Sequence, residues 1–176
     1  MKSRRLFEGS DSRHSGSRIR FADDIAALEV LRDKEGLVAF GWVADNMLYT
    51  RFQGGLSADT GYAYAVHLVD LIASAQRICF FCDSSELNHY DLLARSAFAR
   101  VVLSNRRKFK FITMLTSAEG LSPTVKTLAA TLGEPIEVMT NNDKFVTRLS
   151  RQAPMALRML DPKMWVAATR SPATAR

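Results

Sequence analysis

The fold of this chain is decided by a short apolar stretch that ends in an acid, Ile78-Cys79-Phe80-Phe81-Cys82-Asp83. A continuous apolar run of this kind is typical of a central strand that is covered on at least one face. Residues three apart in a strand face opposite sides of the sheet, so Cys79 and Cys82 are badly placed to share a disulfide or a metal ion. We expect two reduced, buried thiols.

Upstream of this stretch, the pattern predicts two strands and a helix. The apolar runs at 37–43 and 47–52 predict a hairpin turned at residues 44–46. Gly54-Gly55 is predicted to end the second strand, and Ser57 to cap the helix that follows. Helical spacing predicts an inward face that carries Tyr62, Ala65, Val66, Val69, Leu71 and Ile72.

Downstream of Asp83, helices and strands continue to alternate. Residues 84–91 are predicted to form a loop, and residues 92–108 a helix with an inward face of Leu93, Ala97, Phe98, Val101 and Val102. A strand follows at 111–115. The remaining elements are a helix from Ser122-Pro123 to Gly133, a strand at 135–139 and a closing helix capped by Asn142-Asp143.

From Leu37 onward the element order is β-β-α-β-α-β-α-β-α, which predicts an α/β domain. Strand-helix-strand units pair in parallel, so the sheet should be mostly parallel, flanked by helices, with one antiparallel edge hairpin. We expect the domain at 23–154, with its core at 36–150 and a short helix within residues 23–35. Residues 1–22 are expected to be a disordered basic tail, and residues 155–176 a partly ordered extension.

Charge and hydropathy narrow the possible functions. The chain carries a formal net charge of +6, of which residues 1–20 and 151–176 contribute +4 each, while residues 21–150 sum to −2. A nucleic-acid-binding face needs basic residues on a folded element, so no specific nucleic-acid partner is predicted.

No apolar run approaches the roughly 20 residues that span a bilayer, and the N-terminus lacks the apolar run of a secretory signal. We expect a cytoplasmic protein.

One basic cluster lies inside the predicted domain. Arg106, Arg107, Lys108 and Lys110 follow the long helix, where cations complement the negative end of the helix dipole. Binding of an acidic partner or a nucleic-acid backbone is the alternative interpretation of this cluster.

The element order and several residues within it resemble the STAS domain of bacterial anti-sigma-factor antagonists. The similarity covers about residues 36–150 and includes Phe52-Gln53-Gly54-Gly55 before the first helix and Phe81-Cys82-Asp83 in the following strand. The resemblance implies four or five strands with flanking helices, and a non-enzymatic role in binding a protein partner. Whether the chain also forms a homo-oligomer is left open.

The switch position of that family carries different residues in this chain. In the family, an Asp-Ser-Ser-Gly motif opens the second helix and contains the serine that is phosphorylated. At the matching interval after Asp83 this chain has Asp91-Leu92-Leu93-Ala94. The resemblance therefore implies that the hydroxyl that accepts phosphate is absent here, and with it the switching by added charge at a helix N-terminus.

Polar residues gather at the carboxyl ends of the predicted strands, where open α/β sheets place their ligands. Asp83, His89, Tyr90 and Asp91 are predicted to converge there. A His-Asp pair can perform acid–base chemistry, but the sequence offers no nucleophile, second acid or set of three metal ligands to complete a catalytic site. Asp91 is also placed to cap a helix. We predict no catalytic residue, metal or cofactor, and a partner-binding surface of Ser84, Ser85, His89, Tyr90, Asp91, Leu92, Arg95, Ser117 and Glu119.

Three functions follow from this surface, in order of preference. The first is a regulatory or scaffolding module, in which an exposed Leu92 or Leu93 supplies apolar contact to a protein partner. The second is a domain that binds a small ligand or an anionic lipid headgroup at the same edge, with weak peripheral membrane contact through the basic tails. A degenerate hydrolase or transferase ranks last, because three histidines do not assemble a catalytic set.

Overall fold

One mixed sheet organises the part of the chain that the computed structural model describes, which is residues 28–117, 130, 136–154, 156, 160–164 and 166–167. Its strands are β1 (Glu29–Arg32), β2 (Gly36–Ala44), β3 (Met47–Leu56), β4 (Ile78–Tyr90), β5 (Phe109–Thr116), β6 (Ile136–Met139) and β7 (Val166–Ala167). They lie in the order β6-β5-β4-β3-β2-β1-β7. Strands β3 to β6 are parallel, whereas β2 runs antiparallel to both β1 and β3. The predicted α/β class is confirmed.

Helices cover both faces of this sheet. The helices are α1 (Ala58–Ile72), α2 (Leu92–Ser104) and α3 (Asn142–Gln152), with short 3-10 turns at Arg106–Lys108 and Pro162–Met164. Helices α1 and α2 lie on one face, where Phe98 packs against the rings of Phe52, Tyr64 and Phe80 at 6.0–6.3 Å between centroids. Helix α3 covers the other face, where Phe145 meets Phe81 at 5.6 Å.

The alternation of side chains along β4 assigns its residues to these two layers. Phe80 and Cys82 belong to the core under α1 and α2, while Phe81 belongs to the core under α3 and Cys79 packs against it. The prediction that the two cysteines face opposite sides of the sheet is therefore confirmed. Both are free thiols.

The helix predicted within residues 23–35 is wrong where the structure describes that segment, because residues 29–32 form strand β1. Leu31 pairs with Val38 of β2 and packs on the α1/α2 side, whereas Leu28 is buried on the α3 side. A spacing of three places residues on one face of a helix but on opposite faces of a strand. β1 adds a third strand to the antiparallel side of the sheet, and β7 pairs with β1 in parallel.

The inward faces predicted for the two helices are also wrong in part. On α1, Tyr62, Val66 and Val69 are exposed, and on α2, Leu93 is exposed. The buried side of α1 is instead formed by residues such as Tyr64 and Leu68, because apolar residues occur almost all around this helix and periodicity alone did not select the face. On α2, the small Ala94 takes the buried place predicted for Leu93.

Several predicted features are confirmed or lie outside the described residues. Ser57 caps α1 and Asp91 caps α2, as predicted, whereas α3 is capped by Asn141 rather than by Asn142-Asp143. The helix predicted at 122–133 lies outside the described residues except for residue 130. The domain limits, the tail at 1–22 and the extension at 155–176 stay predictions.

Candidate interaction site

The carboxyl ends of β3 and β4 bring the starts of α1 and α2 together. Leu56 and Tyr90 pair at the ends of the two strands, and the Asp91 N–H donates to the Leu56 carbonyl at 2.9 Å. Asp91 Oδ1 then accepts from the Leu93 N–H at 2.7 Å, which satisfies a free donor at the start of α2. The first turn of α2 is therefore held in a defined position relative to the sheet.

The loop predicted at 84–91 is wrong, because these residues up to Tyr90 are the second half of β4. Their partner is the end of β3, which continues through Gly54-Gly55 instead of stopping there. Gly54 has a φ of 75°, and register shifts beside both glycines let the two strands stay paired. The polar sequence of 84–90 has no apolar alternation, so only the presence of a neighbouring strand identifies it as a strand.

The outer half of β4 extends beyond β5. The last pair between these strands is Ser84 with Thr116, whereas the pairing of β4 with β3 continues to Tyr90. Among the described residues, Ser85–Tyr90 therefore have a strand neighbour on one side. Main-chain groups on the other side are of the kind that a partner's backbone can bind.

Five of the predicted site residues lie together at this end of β4. His89 is exposed, its ring lies against Gly55, and its Nε2 is 3.4 Å from Glu35 Oε2. Tyr90 is half-buried, with the Arg95 guanidinium 5.9 Å from its ring centroid. Asp91 and Leu92 complete the group. The structure thus brings these five residues together, and their role in binding a partner stays a prediction.

The predicted serines form a separate group. Ser84 Oγ donates to the Leu115 carbonyl at 2.8 Å, and Ser85 Oγ donates to Asp83 Oδ1 at 2.7 Å. Five residues of extended strand, about 16 Å, separate Ser84 from His89. Ser117 is half-buried next to the end of β5, and Glu119 lies outside the described residues. The predicted surface therefore divides into two parts.

Asp83 does not converge with His89, contrary to the prediction. Six residues of strand, roughly 20 Å, separate the two side chains. Asp83 is buried on the α3 side, where the Tyr49 hydroxyl donates to its Oδ2 at 3.3 Å and Arg51 Nε lies 3.9 Å from the same oxygen. Burial, and then the charge of Asp83, raises the pKa of Tyr49 far above its usual range. His89 and Asp83 therefore do not form a pair.

The Asp83 cluster continues across β3 to exposed residues. Arg51 Nη2 donates to Glu86 Oε1 at 2.6 Å, and Gln53 donates to the other oxygen of Glu86. This network ties β3 to the outer half of β4. Sequence reasoning missed it because its members are separated by more than 30 residues, and only strand register brings them together.

A second network missed from the sequence is centred on Asp33, in the turn between β1 and β2. Its Oδ1 accepts from the N–H groups of Glu35 and Gly36, and its Oδ2 accepts from the hydroxyls of Ser57 and Thr60. Burial opposes ionisation, but these four hydrogen bonds outweigh it and hold the pKa of Asp33 well below its usual range. Asp33 thereby fixes the N-terminus of α1 to the turn. The sequence hints at this network only through the spacing of Asp33 and Gly36, which is typical of an aspartate that accepts hydrogen bonds within a turn.

Three large apolar side chains are exposed where α1 and α2 begin, and we call them the helix-start patch: Tyr62, Leu92 and Leu93. Their exposed fractions are 55%, 65% and 71%. The helices touch close by, because a Cβ built on Gly61 would lie 2.2 Å from the Ala94 Cβ. In the sequence, Tyr62 follows Gly61 and Leu93 precedes Ala94.

The described residues offer little for a metal or a membrane span. They contain no group of three or more His, Cys, Asp or Glu side chains that could hold a metal ion. No helix in the described ranges is both long enough and apolar enough to cross a bilayer.

Comparison with known structures identifies the fold as STAS-like. The chain is similar to the crystal structure of an uncharacterized DUF3478-family protein with a SpoIIAA-like fold from Shewanella loihica PV-4, with a TM-score of 0.50 and 14% identity over 70% of this chain and 92% of that one. It is also similar to the anti-sigma factor antagonist SpoIIAA in its unphosphorylated form, with a TM-score of 0.42 and 15% identity over 65% and 97% of the two chains. No family model and no curated protein matches the sequence. At these identities the similarity concerns the fold alone.

Proposed function

We propose that this protein is a non-enzymatic regulatory or scaffolding module that binds a protein partner through the helix-start patch and the adjoining end of β4. The observation that carries the proposal is the exposure of Leu92 and Leu93, at 65% and 71%, in the first turn of a helix that is fixed to the sheet. Exposed apolar side chains on a rigid support are typical of the centre of an interface.

The surroundings of the patch support this role. His89, Asp91 and Arg95 place polar and charged groups beside the two leucines, as in the rim of a protein interface. The Asp91 cap and its hydrogen bond to Leu56 hold the patch in place before binding, so little ordering entropy is lost on association. A STAS-like fold is consistent with such a role.

We infer that binding here is not switched by phosphorylation at the start of α2. Leucines occupy the two positions at which the resemblance places serines, and they offer no hydroxyl. The nearest serines upstream, Ser84 and Ser85, already donate to Leu115 and Asp83. Adding phosphate to either would break a contact within the sheet instead of changing the patch.

A charge-insertion variant tests the proposal. Leu92→Asp/Leu93→Asp should abolish recovery of the native partner in an affinity purification from the native cell, because it places two charges in the contact. Leu103→Asp is the matched control, since Leu103 is 37% exposed at the far end of the same helix. Circular dichroism should show unchanged folding in both variants. Undiminished recovery with the double variant, or equal loss with the control, would remove this surface from consideration.

A further inference from the structure

The opposite edge of the sheet, at the starts of β4, β5 and β6, collects basic side chains, which we call the basic edge: Arg77, Arg106, Arg107, Lys110, Arg148 and Arg151. Arg77 immediately precedes β4. Arg106 and Arg107 lie in the 3-10 turn before β5, and Lys110 is the second residue of that strand. Two adjacent strand starts, those of β4 and β5, therefore carry cations about 5 Å apart in the direction across the sheet.

The end of α3 adds two more cations to this edge. The Arg148 guanidinium lies 5.0 Å from the ring centroid of Phe111 in β5 and pairs with Glu137 in β6. Arg151 follows three residues later, in the last turn of the helix. An open groove of about 680 Å³ lies along α3 and is lined by Asp143, Lys144, Thr147, Arg148, Arg151 and Gln152.

Three members of the basic edge act on the thiol of Cys79. Burial raises its pKa, and the charges of Lys110, Arg148 and Arg77 oppose that rise. Cations from a loop, a strand and a helix therefore act on a single atom at the start of β4. These three cations therefore lie near one another, although they are spread over more than 70 positions of the chain.

The ion pairs of the described residues are distributed unevenly between the two ends of the sheet. Within the described residues, Arg148 is the one member of the basic edge with an ion pair. At the carboxyl ends of the strands, by contrast, Arg51 pairs with Asp83 and Glu86, and His89 lies beside Glu35. The net charge of −2 over residues 21–150 is therefore the sum of an uneven distribution of charge, in which the basic edge is one cluster of cations.

We propose that the basic edge binds the phosphate backbone of nucleic acid without reading its bases. Five of the six side chains are arginines, whose planar fork fits phosphate oxygens. A protein or membrane partner would need a larger apolar contact as well, but the exposed large apolar side chains nearest the basic edge, Val69 and Leu103, stand on two different helices and are only 45% and 37% exposed. A phosphate backbone requires mainly fixed positive charge.

Fluorescence anisotropy with the full-length protein and a labelled 20-base-pair DNA duplex of mixed sequence tests this proposal. We expect a Kd in the range of about 10⁻⁶ to 10⁻⁴ M, equal for a shuffled duplex. Lys110→Glu/Arg151→Glu should weaken binding at least tenfold and lower the salt slope by about 1.8, since each lost phosphate contact contributes about 0.9. Arg106→Glu/Arg107→Glu is an independent second variant with the same expected result.

The matched control carries the same change in charge at the other edge of the sheet. Arg32 and Lys34 are exposed near the turn between β1 and β2, so Arg32→Glu/Lys34→Glu should weaken binding less than threefold. Equal loss in this control would show that net charge or the termini bind the duplex, and would overturn the proposal. The proposal is equally overturned by absence of duplex binding at low salt, or by binding to polyglutamate or anionic vesicles that is as tight as binding to the duplex. None of these results depends on the helix-start patch.

Discussion

Gly61 of α1 rests directly on Ala94 of α2, so closely that the two helices leave no room for a side chain between them. A Cβ on residue 61 would lie 2.2 Å from the Ala94 Cβ and 2.7 Å from its Cα. Because the second distance is to the main chain, α2 as a whole would have to move to accommodate it. This contact therefore sets the distance between Tyr62 and the two leucines of the helix-start patch.

Gly61→Ala should destabilise the protein by about 1–2 kcal/mol. Alanine is the better helix former by about 1 kcal/mol, so the substitution would be stabilising if space were available, but the cost of overpacking is larger. Gly55→Ala is the control, because the atoms that its Cβ would meet belong to the exposed imidazole of His89, which can swing into solvent. In urea unfolding, the free energy of unfolding of the control should stay within about 0.5 kcal/mol of the wild-type value. Gly61→Ala at or above wild-type stability would contradict the packing described for the helices.

Asp33→Asn should destabilise the protein at neutral pH by about 2 kcal/mol, the scale of hydrogen bonds to a charged group. Asp33 accepts four hydrogen bonds that connect the β1–β2 turn to the start of α1. Asp59→Asn is the control, since Asp59 is an exposed acid in the first turn of the same helix. Urea unfolding at pH 7 measures both variants, and equal destabilisation by the two would show that only the charge near the helix N-terminus matters.

The contribution of Asp33 should also depend on pH in a defined direction. Its pKa is lowered in the folded protein, so the ionised form is the one that folding favours. The stabilisation is fully present above the unfolded pKa of about 4 and is lost progressively as the pH falls below it. The difference in free energy of unfolding between wild type and Asp33→Asn should therefore shrink as the pH is lowered from about 6 to about 3. A difference that stays constant across this interval would exclude the assignment.

The sequence was sufficient to predict the parallel half of the sheet, and the reason is local. Strands β4, β5 and β6 each contain an apolar run, and capped helices precede and follow β4, as with Ser57 and Asp91. The elements that were missed depend on partners instead. Strand β1 and the outer half of β4 contain too few apolar residues to be recognised alone, and become strands because β2 and β3 offer their main-chain groups.

The candidate site was predictable only in its central part. His89 to Leu92 are consecutive residues, so their proximity at a strand end required no knowledge of the fold. Asp33, Glu35 and Gly55 join this edge through strand register, and the exposed side of α1 is decided by where Gly61 meets α2. These are long-range relationships, which a local pattern does not contain.

Alkylation should distinguish the two thiols of the native protein. Cys82 is buried at 1% exposure, and burial raises its pKa, so the reactive thiolate is scarce and out of reach. Cys79 is half-exposed on the other side of the sheet. Mass spectrometry after brief iodoacetamide treatment should find label on Cys79 and none on Cys82, while unfolding in urea should expose both. Label on Cys82 in the native state would contradict the burial of β4.

Two buried tyrosines should make the protein sensitive to alkaline pH. Burial raises the pKa of Tyr49 and of Tyr64 above their usual range, and the Tyr64 hydroxyl lies 2.7 Å from that of Thr50. A raised pKa in the folded state means that the stabilisation is fully present below the unfolded pKa of about 10 and is lost as the pH rises above it. The free energy of unfolding of wild type should therefore fall steeply above about pH 10, and Tyr49→Phe/Tyr64→Phe should flatten that fall.

Absorbance of the phenolate follows the same event, because these two rings should ionise only when the chain unfolds. Ionisation of either ring in protein that is still folded by circular dichroism would show that the hydroxyls are open to solvent.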